Sequence, residues 1–524
     1  MSCQQFGRFS TLHSVPAELH HGLDPGLLDD LTDMVLSFVY FSIPRLPDSI
    51  TASLSCAATS ASAANRDGPD RISALPDEVL LRVVSRLPAK DGARTAALSS
   101  RWARLWRSAP LFLVDTHLLP RRCGGTRPAR HGLVSAAVRD AVSAALRAHR
   151  GPFPFVSLTC VFMEPRDADR AVLARWFVHL ATKGVDELVL VNRPLPLPGL
   201  RLPSALFSCA SLRRLYLGAW EFPDTTLLPR GASFPNLREL ILGCVVMNDR
   251  DFDFVLAASP VLKILGVTGI PGRFTARLAS HSLRAAQFML SDLREVAVVD
   301  APCLQQLIIW NCPITRFRRK KIETRIKIGH APQVSILGYL DPGVHVLEIG
   351  NTIIKAGTKV NQNTVVPSVE ILALHLHFGV SNEVKMLPSF LRCFPNVETM
   401  CIESDETCEP TANLNSKFWQ QTSPIECVQS HLKILFFCDF HGEQRELDFL
   451  MFLAENAREL QRMNLVLEMD GTHAARAEMK TKLEVLKSVK WASGGCKVMV
   501  MDSNNLSSDP FLSLTKYCLH VQTA

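Results

Sequence analysis

The chain has 524 residues, 47% of them hydrophobic and 20% charged, and 57 Lys+Arg against 50 Asp+Glu leave a net charge of +7. This apolar share supplies several cores and excludes collagen-like, largely disordered and small disulfide-scaffold classes. So small an excess of positive charge, spread over the whole length, argues for neither a nucleic-acid nor a membrane partner.

Residues 1–50 show no period and stay an unassigned N-terminal extension. Their longest uncharged run, Met34–Pro44, is about 11 residues, against the roughly 20 that a bilayer span needs. Pro16, Asp24, Pro25, Asp29, Asp30 and Asp33 interrupt the stretch where a secretory signal would need an unbroken apolar core. The 15 cysteines contain no CxxC pair and mostly sit in apolar stretches, as Cys209, Cys393 and Cys438 do. Reduced thiols in an intracellular protein, cytoplasmic or nuclear, are the expectation.

Residues 51–69 are Ala, Ser and Thr with almost no large apolar side chain, and read as a linker. From Asp70 the pattern turns helical: Leu75, Val79, Leu80, Val83, Val84 and Leu87 recur at spacings of about three to five, on one face of a helix opened by Pro76 and stopped by Pro88. Ala93, Ala97, Leu98, Trp102, Leu105 and Trp106 predict one or two more short helices before Pro110. A module of residues 70–110 is too small to bury its own apolar surface and needs a partner.

The string DRISALPDEVLLRVVSRLPAKDGARTAALSSRWARLW, residues 70–106, resembles the F-box in its plant form. Leu75-Pro76-Asp77-Glu78, Leu87-Pro88, Arg94-Thr95, Leu98-Ser99, and Arg101-Trp102 with Leu105-Trp106 all fall at the family spacing. The resemblance implies docking onto a Skp-type adaptor and, through it, onto a cullin. It points to Leu75, Pro76, Leu80, Val84, Leu98 and Trp102 as residues that contact the adaptor or support that interface.

Between residues 150 and 423 the pattern is a repeat. An apolar residue, two free positions, an apolar residue, one free position and a third apolar residue recur as Val185-Leu188-Leu190, Leu212-Leu215-Leu217, Leu237-Leu240-Leu242, Leu262-Leu265-Val267, Leu304-Leu307-Ile309, Val334-Leu337-Tyr339, Val369-Leu372-Leu374 and Val397-Met400-Ile402. Leu432-Leu435-Phe437 continues it, and Leu283-Ala286-Phe288 is a weaker copy. Pro235, Pro260, Pro302, Pro332, Pro367 and Pro395 stand two residues before six of the starts, where proline is expected to keep the chain extended as it enters a strand. The pattern resembles irregular plant leucine-rich repeats, short parallel strands stacked into a solenoid with the connecting segments on its convex side. In that register the free positions point to the concave face. Tyr216, Trp310, His375 and Phe436 are the candidates there for gripping a target protein.

Residues 424–502 open with a strand-like run, then Leu447, Leu450, Phe452, Leu453, Ala457 and Leu460 at helical spacing, then Leu465-Val466-Leu467 as a strand. This stretch resembles the FBD domain of plant F-box proteins through Cys427, Leu432-Lys433, Phe440, Glu446-Leu447, Phe449-Leu450, Asn456-Ala457 and Leu460. As a terminal module it would shield the end of the solenoid. Residues 503–524 form a tail.

Catalytic patterns are missing from the sequence. No CxxC supplies zinc ligands, no GxxxxGK[ST], GxSxG or HExxH occurs, and Gly266-x-x-Gly269-x-x-Gly272 lacks the GxGxxG form. His375 and His377 have no third ligand to name, so neither metal nor cofactor is expected. Asp405, Glu406 and Glu409 read as solvated loop charges. The basic string Arg316–Lys321 reads as a loop, with nuclear import as its functional alternative, and four tyrosines in the chain disfavour a nucleic-acid face. The expected class is therefore α/β, a short helical F-box module, an irregular leucine-rich-repeat solenoid and a C-terminal α/β FBD cap. The expected role is non-catalytic, a target-recognition subunit of a ubiquitin ligase, with a repeat scaffold that does not engage the adaptor as the alternative.

Overall fold

The computed structural model describes residues 71–118, 131–192, 199–310, 323–404, 418–467, 479 and 481–502. The N-terminal extension, the linker, the basic string, the acidic insertion and the tail lie outside the described residues. The chain forms two compact units: one runs to Leu262 and includes Gly266–Gly272, while the other holds Lys263–Leu265 and the described residues from Arg273 onward.

In the first unit, three short helices come first: α1 (Asp77–Ser85), α2 (Ala89–Thr95) and α3 (Ser100–Ser108). Pro76 and Pro88 precede α1 and α2, where a fixed φ prepares the helix. Ser99 caps α3, its hydroxyl accepting the Trp102 N–H at 3.3 Å. There follow β1 (Phe112–Val114), α4 (His131–Ala148), β2 (Phe155–Val161), α5 (Asp167–Thr182), β3 (Glu187–Asn192), β4 (Arg214–Gly218), β5 (Glu239–Gly243) and α6 (Asp249–Ala257), and then β6 (Ile264–Thr268), whose residues are divided between the two units. Strands β1 to β5 are parallel and adjacent in chain order. One side of this sheet is the repeat core: Leu188, Leu215 and Leu240 are in register, as are Leu190, Leu217 and Leu242, and all are buried. Phe207 stacks on Phe234 at 4.6 Å and meets Phe254 edge-on, which fills the space behind the strands.

The turn ahead of each strand corrects the expectation for the prolines. The N–H of Leu237 bonds the carbonyl of Phe234 at 3.3 Å, and the same three-residue closure joins Leu262 to Ser259, Leu304 to Ala301, Val334 to Ala331 and Val369 to Val366. Pro235, Pro260, Pro302, Pro332 and Pro367 each occupy the second position of a tight turn, which demands the φ that proline fixes. The chain is folded back there, not extended. Beyond the turn a single carbonyl of the preceding repeat anchors the next strand, as Arg213 does by accepting from both Arg238 and Glu239.

The second unit holds β7 (Phe274–Ala279), β8 (Ala285–Met289), β9 (Leu293–Asp300), β10 (Gln306–Trp310), β11 (Thr324–His330), β12 (Ile336–Leu340), β13 (His345–Ile349), β14 (Thr352–Ile353) and β15 (Ile371–Leu376). It continues with α7 (Ser381–Arg392), β16 (Thr399–Ser404), α8 (Phe418–Gln421), α9 (Glu426–Ser430), β17 (Ile434–Cys438), α10 (Gln444–Asn456), β18 (Arg462–Leu467), α11 (Val485–Ser488) and β19 (Lys497–Asp502). The repeat strands run parallel in the order β8-β10-β12-β15-β16-β17-β18-β19. The weak copy at Leu283-Ala286-Phe288 is a full repeat, with all three residues buried around β8. The C-terminal region completes this sheet with β17, β18 and β19, and α10 connects β17 to β18. A second sheet, β14-β13-β11-β9-β7, is built from the connecting segments, parallel except for β13 with β14.

Candidate functional site

Two surfaces carry the candidate residues. On α1 the apolar residues come in adjacent runs, Val79-Leu80-Leu81 and Val83-Val84, so a helix turns part of each run inward and leaves part outside. Leu80 and Val84 are fully buried, whereas Val79 and Val83 are 40% and 41% exposed. The segment leading into α1 is held against α3 by Arg101. Its guanidinium donates to Asp77 Oδ1 at 2.8 and 2.6 Å, to the Leu75 carbonyl at 2.7 Å, and to the Ser73 carbonyl. The Trp102 indole N–H reaches Ser73 Oγ at 3.2 Å from a buried ring.

With this segment fixed, Ile72, Leu75, Pro76 and Leu98 stay exposed beside Val79 and Val83, Leu98 at 67%. Of the six residues assigned to the adaptor interface, Leu75, Pro76 and Leu98 lie on the surface, while Leu80, Val84 and Trp102 join the helices beneath it. Ile72, Val79 and Val83 were missed as surface residues. For Val79 and Val83 the adjacent apolar residues of each run were the signal, since a single apolar stripe cannot contain them all.

The other surface is the face of the repeat strands opposite the leucine ladders. In the first unit Val114, Ser157, Val189, Tyr216 and Ile241 form one row across β1 to β5. Tyr216 was expected to face solvent but is 2% exposed, and its phenol donates to Glu239 Oε1 at 2.8 Å. The neighbouring row sets Glu187, Arg214 and Glu239 side by side, with Arg214 Nε donating to Glu187 Oε2 at 2.7 Å. Arg214 is thereby committed to one carboxylate. Burial pushes the Glu239 carboxyl up to about 7, against the hydrogen bond from Tyr216 and the charge of Arg214, and the Glu187 carboxyl is raised for the same first reason. Tyr216 is raised by burial and by both carboxylates.

In the second unit the face is also more closed than the strand pattern predicts. His375 is 5% exposed, with Nδ1 3.6 Å from Asp341 Oδ2. His377 Nδ1 lies 3.0 Å from Glu383 Oε2, which also accepts the His377 backbone N–H, and the two imidazoles are 5.7 Å apart. Trp310 is half-buried and donates its indole N–H to Glu403 Oε2 at 3.3 Å, and Glu403 is the register partner of His375. Phe436 is half-buried against Ile336, Ala373 and Cys401. The structure therefore brings Trp310 to the carboxylate of Glu403 on the strand beside His375, sets His375 near Asp341, and places Phe436 in an apolar cluster. The expectation of solvent-facing apolar side chains fails for Tyr216 and His375 because both strand faces are packed here.

Among the described residues no group of His, Cys, Asp and Glu could hold a metal ion, and no helix is long and apolar enough to cross a membrane. Burial pushes the thiols of Cys209, Cys244, Cys393 and Cys427 up to about 12. They remain thiols at neutral pH and are poor nucleophiles.

The sequence matches three family models. Residues 72–113 match the F-box domain, residues 173–402 match the leucine-rich repeats described as those of FBD-associated F-box protein At5g56370, and residues 420–465 match the FBD. The chain thus carries matches to an F-box, to leucine-rich repeats and to an FBD. Among similar proteins, FBD-associated F-box protein At5g60610 of Arabidopsis thaliana is 24% identical over 74% of this chain and 97% of its own. Putative F-box/FBD/LRR-repeat protein At1g66290, from the same plant, is 22% identical over 85% and 97%. F-box/LRR-repeat protein At3g59200 is 30% identical over 38% of this chain and 37% of its own. The exposed stripe of α1 lies within the F-box match, and the closed rows of the repeat strands fall largely within the leucine-rich-repeat match.

Proposed function

We propose that this chain is the target-recognition subunit of a Skp–cullin–F-box ubiquitin ligase. The F-box, residues 70–110, docks on the Skp-type adaptor and through it on the cullin. The repeats of residues 150–423 hold a target protein, and the FBD of residues 424–502 completes their C-terminal end. The chain performs no chemistry in this reading. It keeps the target's lysines near the charged conjugating enzyme, so that ubiquitination and proteasomal degradation follow from raised effective concentration. Cytoplasm and nucleus are the compartments where that machinery works.

The observation that carries the reading is the second apolar stripe of the F-box helices. Ile72, Leu75, Val79, Val83 and Leu98 are exposed apolar side chains on α1 and on the segments that lead into α1 and α3, while Leu80, Val84, Trp102 and Leu105 fill the core beneath. Such a surface asks for a protein partner. Leu75 and Leu98 are the contacts with most to lose, and fully burying a leucine contributes roughly 1.5–3 kcal/mol.

Binding of the purified chain to a Skp-type adaptor tests this directly. Leu75→Ala with Pro76→Ala should weaken binding by about ten- to a hundredfold, while the melting temperature of the chain stays close to that of the unmodified protein. No adaptor binding by the unmodified chain would sink the ligase reading and leave a repeat scaffold.

A further inference from the structure

The last three strands of the repeat sheet carry a patch of mixed chemistry on the face away from the leucine ladders. Ile434, Arg462 and Lys497 stand in register across β17, β18 and β19, and one pleat further along stand Phe436, Asn464 and Met499. Unlike the closed row around Tyr216, this block is open. Ile434 and Phe436 are half-buried, Arg462 and Lys497 are exposed, and Met499 is 39% exposed.

Two features of the block are unfavourable as they stand. Arg462 and Lys497 lie directly opposite each other on adjacent strands, which is destabilising for like charges. Lys433, the neighbour of Ile434, is paired with Glu398 at 2.7 Å, but neither Arg462 nor Lys497 forms an ion pair among the described residues. Asn464 is 2% exposed, and its side-chain oxygen has no hydrogen-bond partner among the described residues, although a buried acceptor normally has one. An anion between the two cations would relieve the first, and an N–H donor lying across β18 would relieve the second once the flexible Met499 side chain swings aside. Phe436 and Met499 add apolar surface whose burial favours binding.

A small anion would meet only the charge, whereas a peptide segment supplies a carboxylate, a main-chain N–H and an apolar side chain together. Strands about 4.8 Å apart put the positions of Arg462 and Lys497 roughly 5 and 10 Å from that of Ile434. An extended segment advances about 3.3 Å per residue, so its acidic residues belong two or three positions after the apolar one.

We propose that this block docks a segment of the target protein in which an apolar residue is followed, two or three positions later, by acidic ones. The apolar side chain rests on Phe436 and Met499, the carboxylates bridge Arg462 and Lys497, and a main-chain N–H reaches Asn464. Ile434, Phe436 and Arg462 fall within the FBD match, so that region takes part in recognition as well as ending the sheet. The inference rests on the reading of the repeats as a target-binding surface, but peptide binding needs no adaptor, so its failure and that of the ligase reading are seen in separate assays.

Fluorescence anisotropy of the full chain with synthetic decapeptides tests the proposal. Two probes carry leucine or phenylalanine followed at the second and third positions by glutamates; one control replaces the glutamates by lysines, and another replaces the apolar residue by serine. At least one probe should bind about tenfold or more tighter than both of its controls. Arg462→Glu with Lys497→Glu should reverse the preference toward the lysine control and leave the thermal melt unchanged, because both side chains are exposed. Should that pair disturb folding, Met499→Glu alone should weaken the glutamate probe and spare the lysine control. No binding of either probe, equal binding of probe and lysine control, or a preference that the charge reversal leaves in place would overturn the proposal. A preference for glutamate that ignores the apolar residue would also overturn it, by reducing the block to a general anion-binding edge.

Discussion

The F-box helices and the repeat strands treat surplus apolar residues in opposite ways. On α1, Val79 and Val83 stand beside the buried Leu80 and Val84 and remain exposed. On β4 and β5, Tyr216 and Ile241 stand beside the buried leucines and are buried too. A helix bears its surplus as a second stripe about 100° from the first, which three short helices cannot cover. A strand bears it on the opposite face, where a whole row aligns across neighbouring strands. The outer residues of the F-box helix are thus exposed as folded, whereas the corresponding row of the first unit's repeat strands is buried.

The contrast within α1 gives the largest expected effects. Leu80→Ala should destabilise the first unit by about 2–5 kcal/mol, since the side chain is fully buried and its neighbours collapse only in part. Val83→Ala, one turn along on the other stripe, should change stability by less than about 0.5 kcal/mol and act on adaptor binding instead. Chemical denaturation of both variants beside an adaptor-binding assay separates the two roles. Similar losses of stability from both would mean that the outer stripe is also core.

On the repeat side, Gly338 shows how closely the second unit packs. A Cβ at this position would lie 2.4 Å from the Cβ of Ala373 and 2.8 Å from its carbonyl oxygen. The obstacle is largely backbone on the neighbouring strand β15, which cannot swing aside as a long side chain would. Gly338→Ala should therefore cost roughly 3 kcal/mol, at the upper end of ordinary overpacking, read from the denaturation midpoint. An unchanged midpoint would show that this face is loose. Its closure would then depend on something other than strand packing.

The parts legible in the sequence were those with one dominant period. The leucine ladders, the helix over Leu447–Leu453 and the existence of α1 follow from spacing alone, whereas the division of α1 into inward and outward residues does not. The second sheet was not read, although Val296 and Val298 in β9 and Ile326 and Ile328 in β11 alternate as strand residues do, because these short runs fall between stronger repeat signals. The prolines signalled a rule but not its geometry: a fixed φ suits an extended approach and the second position of a turn alike, and only the hydrogen bonds ahead of Leu304 and Val334 decide. At the candidate site, Tyr216, Trp310, His375 and Phe436 were placed on the correct strand face, but their burial depends on neighbours distant in sequence. Glu403 with Trp310, separated by 93 positions, is such a case.

The buried acid of the first unit and its buried imidazole should make stability depend on pH in opposite directions. His149 is held between Trp106 and Phe153, with Nε2 2.9 Å from the Ala109 carbonyl, and burial lowers its pKa to about 4. A histidine kept neutral in the fold favours the folded state above its ordinary value of 6.5, and that contribution is lost as pH falls toward 4. Glu239 has the reverse sign. Its carboxyl, raised to about 7 from 4.5, favours the folded state below pH 4.5 and loses that contribution as pH rises through 7. Because Glu239 is only half-buried, its share is about 2 kcal/mol or less after allowing for solvent. Glu239→Gln keeps an acceptor for the Tyr216 phenol and removes the titration. The variant should be more stable than the unmodified chain at pH 7.5, with the difference shrinking toward pH 4.5, as followed by thermal melts across that range. A difference that is flat with pH would mean that solvent or a cation already reaches Glu239, and that the row beside Tyr216 is more open than its burial implies.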